Sequence, residues 1–127
     1  MNKFLLTLAF AFAFSSCSER QTLEEKAQHD VHEYNRRYCP TPVINYMRTD
    51  SITFDAARHI FTYHCSFCGM LDNKDLVMLN KEKITSMLQN NVKRSTSIKN
   101  YIESGYHFRY VCRSDSLPQT ILFEIAF

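Results

Sequence analysis

The sequence predicts a small α+β domain in which helices cover one face of a four-stranded antiparallel sheet. A further helix precedes the sheet along the chain. Three observations indicate this fold. Apolar residues recur every three or four positions over residues 22–38 and again over residues 80–104. They alternate with polar residues in two stretches before the second helical region and two after it. Hairpins that alternate with helices are typical of an antiparallel sheet, so we predict a β-β-α-β-β core.

The first 16 residues have the pattern of an export signal. Lys3 precedes the apolar run FLLTLAFAFAF, which is followed by two serines. This run is too short for a permanent membrane helix, which needs about 20 apolar residues. A positive residue, a short apolar run and small residues at its end are typical of a secretory signal peptide that is removed from the mature protein.

Cys17 directly follows the two serines, and Phe14-Ser15-Ser16-Cys17 resembles the lipobox of bacterial lipoprotein precursors, which usually has leucine in place of Phe14. The resemblance implies cleavage before Cys17, a diacylglycerol on its sulfur and acylation of its new amino group. Several buried acyl chains, at about 0.8 kcal/mol per methylene, hold a protein firmly on a membrane. The alternative is an ordinary secreted protein with a chance cysteine near its cleavage site.

These features predict three parts of the chain: a signal peptide over residues 1–16, a lipidated tether over 17–21 and one α+β domain over 22–127. The predicted location is the bacterial cell envelope, on a membrane. The outer membrane is favoured over the inner one because Ser18, and not an aspartate, follows Cys17.

The helix predicted over residues 22–38 has recognisable ends. Thr22 and Glu25 form a capping-box pattern at its start, and Cys39-Pro40 ends it because proline lacks a backbone donor. One strand is predicted over residues 47–54 and the next over residues 59–67. The apolar stripe of this helix consists of Leu23, Ala27, Val31, Tyr34 and Tyr38.

A second helical region is predicted from Asn80 to Ser104, with Gly105 as its C-terminal cap and with a break near residues 95–97. The tail has the clearest strand pattern, over residues 107–112 and 121–127. In the last strand the apolar residues lie on one face, at Ile121, Phe123, Ile125 and Phe127.

Four segments of the predicted domain, at residues 48–52, 61–63, 105–110 and 122–125, resemble small exported proteins of Bacteroidetes-type bacteria that have no assigned activity. The segments read RTDSI, FTY, GYHFRY and LFEI. The resemblance covers about the last eighty residues. It implies the β-β-α-β-β core and says nothing of mechanism.

The cysteines allow two interpretations. With Cys17 lipidated, four cysteines remain in an oxidising compartment, where an even number favours disulfides. Cys65 and Cys112 each end a Phe-x-Tyr-x-Cys run, so they could form a disulfide if their strands are neighbours; otherwise both are buried thiols. Cys65 and Cys68 form a CxxC motif, which is the basis of an alternative function as a thiol–disulfide redox protein.

Other chemistry has little support in the sequence. His29 and His32 lack a second pair of ligands, so no metal and no cofactor are predicted. The chain has only two glycines and no nucleophile elbow, so we expect no enzyme. Lys and Arg total 15 against 13 Asp and Glu, with no basic stripe, and this excludes nucleic acid as an expected partner.

The function predicted from the sequence is therefore a non-catalytic binding or accessory role on the envelope. The membrane is the expected partner through the lipid on Cys17, and an envelope protein, peptide or glycan is a further one. The polar face of the sheet is the predicted contact surface, with Thr62, His64, Arg109 and Glu124.

Overall fold

The computed structural model describes residues 21–127. The predicted signal peptide and Cys17 lie outside this part of the chain. Helix α1 spans Leu23–Tyr38 and begins as predicted: the Thr22 side chain accepts a hydrogen bond from the backbone N–H of Glu25 at 3.1 Å. Acidic residues in its first turn and basic residues in its last turn suit the helix dipole.

Within the described residues the sheet has four strands, in the spatial order β1-β2-β3-β4. Strand β1 is antiparallel to β2, and β3 is antiparallel to β4. The two central strands, β2 and β3, are parallel to each other. The strands span Met47–Asp55 (β1), Ile60–Phe67 (β2), His107–Ser114 (β3) and Ile121–Ala126 (β4). The sheet is therefore mixed, and the prediction of a fully antiparallel sheet was wrong.

The parallel pair follows from the segment that joins β2 to β3. Residues 68–106 form helices that return the chain to the end of the sheet where β2 begins, and His107 N–H donates to His59 C=O at 2.9 Å. A long helical crossover of this kind produces parallel neighbours, whereas a tight turn produces antiparallel ones. The sequence pattern located both strands but did not show their relative direction.

The crossover also changes the predicted order of elements. It contains three α-helices where one helical region was predicted, so the core is not a simple β-β-α-β-β unit. Short 3-10 turns precede α2 and α4. Gly105 follows the last helix with a φ of 80°, in the left-handed region that glycine adopts readily. The helices span Lys74–Leu79 (α2), Lys81–Arg94 (α3) and Lys99–Glu103 (α4).

One face of the sheet and the inner sides of the helices form a single hydrophobic core. The strands contribute alternate residues to it, and the helices contribute residues spaced three or four apart. None of the helices within residues 21–127 is long and apolar enough to cross a bilayer. The most deeply buried large side chains are Phe67, Val77, Leu88, Tyr101 and Phe108, together with Cys65 and Cys112.

Candidate ligand-binding cavity

A cavity of about 660 Å³ lies between α1 and the inner face of the sheet. This volume falls in the range of small-molecule sites, about 300–1,000 Å³. Its walls come from α1, the first three strands, the end of α3, the following turn and α4. The apolar and aromatic lining residues are Val31, Tyr34, Tyr38, Met47, Ile52, Phe61, Tyr63, Val92, Ile98, Tyr101 and Tyr110.

Helix α1 is fixed over the cavity through contacts with the sheet edge and the β1–β2 turn. The Asn35 side chain donates to Ile52 C=O and accepts from Ile52 N–H, both at 2.8 Å. Because β1 is an edge strand, this amide makes the two bonds that a neighbouring strand would make. At the other end of the helix, Glu24 lies 2.6 Å from His59, whose ring stacks on Tyr106. These contacts hold the helix against the sheet while leaving the cavity between them.

Five tyrosines line the cavity, and three of them, Tyr34, Tyr63 and Tyr110, are called the cavity tyrosines here. The rings of Tyr63 and Tyr110 are stacked, with centroids 4.7 Å apart. Tyr110 is 5% exposed. Among residues 21–127, none of the three hydroxyls has a hydrogen-bond partner, yet no fully buried side-chain oxygen is left without one. The hydroxyls are therefore available to a molecule in the cavity.

Burial keeps these hydroxyls protonated. It raises the pKa of Tyr63 to about 12, and it also raises the pKa values of Tyr34 and Tyr110. Repulsion between neighbouring phenolates adds to the effect of burial, because Tyr63 and Tyr110 are each influenced by Tyr34. At neutral pH each cavity tyrosine therefore has a proton to donate.

The charged residues that α1 places at the cavity are paired with one another. Lys26 and Asp30 are 2.8 Å apart, and Arg37 lies 3.1 Å from Glu33. Asp30 also accepts a hydrogen bond from the Tyr101 hydroxyl at 2.7 Å. The two cations and two carboxylates that α1 contributes to the lining are thus paired, and Glu33 also pairs at 2.8 Å with Arg36, which is not a lining residue.

The predicted cysteine sites have a definite arrangement. Cys65 and Cys112 lie directly opposite each other in the parallel β2–β3 pair, and both are buried. Interaction with the Cys65 side chain, together with burial, raises the pKa of Cys112. All four cysteines of the described domain, including Cys39, are thiols in this structure. This register makes the two cysteines neighbours, which is the arrangement that the predicted Cys65–Cys112 disulfide requires.

The two cysteines of the CxxC motif are not brought together. Cys65 faces the core, whereas the Cys68 sulfur lies 3.9 Å from Arg48 and 3.7 Å from Ser66 C=O. In an extended strand, residues three apart point to opposite faces of the sheet. Cys65 therefore has Cys112 as its neighbour and not Cys68.

The predicted contact surface lies on the sheet face opposite the core, as strand alternation requires. Arg109 and Glu124 form an ion pair across β3 and β4. His64 and Thr53 are hydrogen-bonded at 2.9 Å. These polar groups bind one another, so this face offers fewer free groups to a ligand than the cavity does.

The histidines are dispersed over the domain. Residues 21–127 contain no cluster of three or more His, Cys, Asp or Glu side chains that could hold a metal ion. His59 contacts Glu24, and His107 lies 3.3 Å from the carbonyl oxygen of Phe127. His29 and His32 are exposed on α1.

The cavity was not predicted from the sequence. Tyr34 belongs to the apolar stripe of α1, and Tyr63 and Tyr110 lie on the apolar faces of β2 and β3, so all three have the spacing of ordinary core residues. The one available signal was chemical: aromatic residues with hydroxyl groups, where phenylalanine would fill a closed core without a polar atom.

Fold and cavity together define the class: an α+β domain with a mixed four-stranded sheet and an aromatic cavity under its N-terminal helix. Residues 22–123 match the family described as a domain of unknown function, DUF8479, and the chain belongs to this family. It is also similar to a crystal structure from Pseudomonas aeruginosa described as a "putative secreted protein". The TM-score is 0.67 at 12% identity, over 85% of this chain and 95% of that one. This likeness concerns the fold alone. The comparison with curated proteins finds no match.

Proposed function

We propose that this chain is an exported lipoprotein, held on an envelope membrane by lipid on Cys17, and that it binds a small amphipathic molecule in the cavity beneath α1. The role is binding without catalysis. The cavity carries the proposal, because it combines a suitable volume, aromatic walls and hydroxyl donors that lack partners within residues 21–127.

Export is supported by two independent observations. The first is the signal pattern of residues 1–16 with the lipobox-like Phe14-Ser15-Ser16-Cys17. The second is the similar fold of a protein described as secreted in Pseudomonas aeruginosa. We further propose that the protein comes from Bacteroidetes-type bacteria and is held on the outer membrane. We also propose an envelope protein, peptide or glycan as a partner that contacts the sheet face opposite the core.

The thiol–disulfide alternative has less support. Exchange through the CxxC motif requires Cys65 and Cys68 to be adjacent, but Cys65 lies opposite Cys112 in β2, whereas Cys68 directly follows β2 and lies beside Arg48. Their disulfide would need the end of the strand to refold. We therefore favour the binding role over a redox role for this pair.

Ligand binding can be tested with the neutral probe N-phenyl-1-naphthylamine, whose fluorescence rises in apolar surroundings and is excited at a wavelength that Trp does not absorb. The protein is the mature chain from residue 17 with Cys17→Ser, which keeps the whole core, because the core lies within residues 27–123. Val31 lines the cavity, whereas Val43 does not and is 51% exposed. We expect saturable binding that falls at least tenfold in Val31→Trp and is unchanged in Val43→Trp.

Equal binding by both tryptophan variants would contradict the proposal. Thermal unfolding and circular dichroism show whether Val31→Trp is folded. If it is not, Ser97→Trp replaces it, because Ser97 is an exposed residue at the cavity rim and a larger side chain there narrows the opening without entering the core.

The anchor can be tested separately by membrane fractionation of cells. Cys17→Ser is expected to move the protein from the membrane to the soluble fraction, because it removes the sulfur that the lipid needs. Cys39→Ser is the matched control, since Cys39 lies in the described domain and should stay on the membrane. Membrane retention of Cys17→Ser would contradict the anchor and leave the cavity proposal intact.

A further inference from the structure

The polar lining of the cavity includes charged residues of α1 and tyrosine hydroxyl groups, together with the side chains of Thr49, Asn91, Ser95 and Ser97. The cavity tyrosines present hydroxyl groups that no residue between 21 and 127 uses, and these groups lie beside aromatic walls. Tyr110 is 5% exposed as a residue, and the hydroxyls keep access to the cavity, since no fully buried side-chain oxygen lacks a partner. When an apolar molecule displaces water from the cavity, a hydroxyl left without a partner costs free energy. A ligand that supplies an acceptor atom removes this cost.

The charges near the cavity favour an uncharged ligand. Each charged group that α1 contributes already has an opposite charge within 3.1 Å. Glu33 also pairs with Arg36, which does not line the cavity, so a charged group in the cavity would compete with ion partners that the lining charges of α1 already have. A buried charge without a partner is strongly disfavoured, whereas an ester or ether group loses little on leaving water.

We propose that the natural ligand is an uncharged amphipathic molecule whose apolar body lies against the ring faces and whose carbonyl, ester or ether oxygen accepts hydrogen bonds from the cavity tyrosines. This inference rests on the proposed binding function and specifies the ligand class for the same cavity. It places the acceptor near Tyr63 and Tyr110, whose stacked rings bring both side chains to one wall.

The test uses four displacers of equal chain length against bound N-phenyl-1-naphthylamine: methyl decanoate, decanoate, decylammonium and decane. All four have a straight chain of ten carbons and differ mainly in charge and in acceptor groups, and the ester has one further methyl group. We expect methyl decanoate to displace the probe at concentrations at least tenfold lower than either ion requires. Decanoate or decylammonium acting as well as the ester would overturn the proposal.

The hydrogen bond is tested with Tyr110→Phe and the matched control Tyr46→Phe, because Tyr46 is half exposed and lies outside the cavity. Tyr110→Phe should weaken displacement by methyl decanoate about fivefold, the usual effect of one hydrogen bond, and leave decane unchanged. Equal effects on ester and decane would show a packing change and would overturn the role of the hydroxyl.

The two proposals fail in distinguishable ways. Probe binding that is sensitive to Val31→Trp but indifferent to ligand charge leaves the cavity as a binding site and removes the neutral ligand class. Probe binding that is absent in the wild-type protein removes the proposed function itself, and the ligand class with it.

Discussion

At the scale of single residues, the polar side chains beside the cavity act mainly on one another. Burial alone would raise the pKa of Asp30, but hydrogen bonds from Lys26 and Tyr101, together with the charge of Lys26, lower it below its ordinary value of 3.8. Spacing along α1 indicates the Lys26–Asp30 pair. It cannot indicate Tyr101, which is brought to Asp30 only by the folded crossover.

This environment predicts a pH dependence of stability. Because the pKa of Asp30 is lower in the folded than in the unfolded protein, its stabilising effect is complete above 3.8 and is lost as pH falls through the lowered value. Urea unfolding should therefore show Asp30→Asn to be less stable than wild type at pH 7, with a gap that shrinks toward pH 2. Asp75→Asn, at an exposed position, is the control. A gap that does not change with pH would contradict the account.

The opposed thiols predict a disulfide once the protein reaches an oxidising compartment. Cys65 and Cys112 lie opposite each other on adjacent strands, so the register already brings the two thiols together. In the exported protein we expect alkylation under denaturing conditions to modify two cysteines, Cys39 and Cys68, before reduction and four after it. Four alkylated cysteines without reduction would contradict the disulfide. In Cys65→Ser, a newly reactive Cys112 would confirm the pairing.

At the scale of elements, local patterns placed the strands and the first helix closely. The helix predicted over residues 22–38 is α1 at Leu23–Tyr38, and the strand predicted over residues 59–67 is β2 at Ile60–Phe67. The predicted antiparallel direction of β3 relative to β2 was wrong, because a pattern with period two is the same for parallel and antiparallel strands. The helical region predicted from Asn80 begins after α2, which was not predicted because its six residues are too few for a clear helical period.

The attachment of α1 to the sheet edge depends on Asn35 and gives a prediction at this scale. Asn35→Ala removes two 2.8 Å hydrogen bonds and leaves the peptide groups of Ile52 without their partner. We expect a loss of about 1–3 kcal/mol in the free energy of unfolding. Asn90→Ala, at an exposed position of α3, should change it by less than about 0.5 kcal/mol. Equal losses measured by urea unfolding would show that the Asn35 bridge contributes little.

At the scale of the whole molecule, the site arises from distances between elements that no sequence pattern encodes. The cavity requires α1 to lie over the sheet at a spacing that its side chains do not fill, and the same tyrosines would form a closed core if the helix were nearer. Composition and periodicity thus predicted the α+β class and the buried face. They could not separate a filled core from one with a cavity of about 660 Å³.

The fold also determines where residues 17–21, the proposed lipidated tether, would join the domain. Glu24, in the first turn of α1, contacts His59 in the β1–β2 turn. The last turn of α1 leads to the segment before β1, where Tyr46 C=O accepts from Cys68 N–H at the end of β2. Since α1 has 16 residues and is about 24 Å long, these two ends of the domain are well separated. A lipid on Cys17 would therefore hold the β1–β2 turn toward the membrane.

The most direct test of a membrane-anchored binding protein is native mass spectrometry of the protein purified from its own membranes, compared with Val31→Trp. We expect the mass of residues 17–127 plus acyl chains, with one dissociable small-molecule adduct on the wild-type protein and none on Val31→Trp. A mass without acyl chains would contradict the lipid anchor. A wild-type protein without an adduct, or with an adduct that Val31→Trp also has, would contradict binding in the cavity.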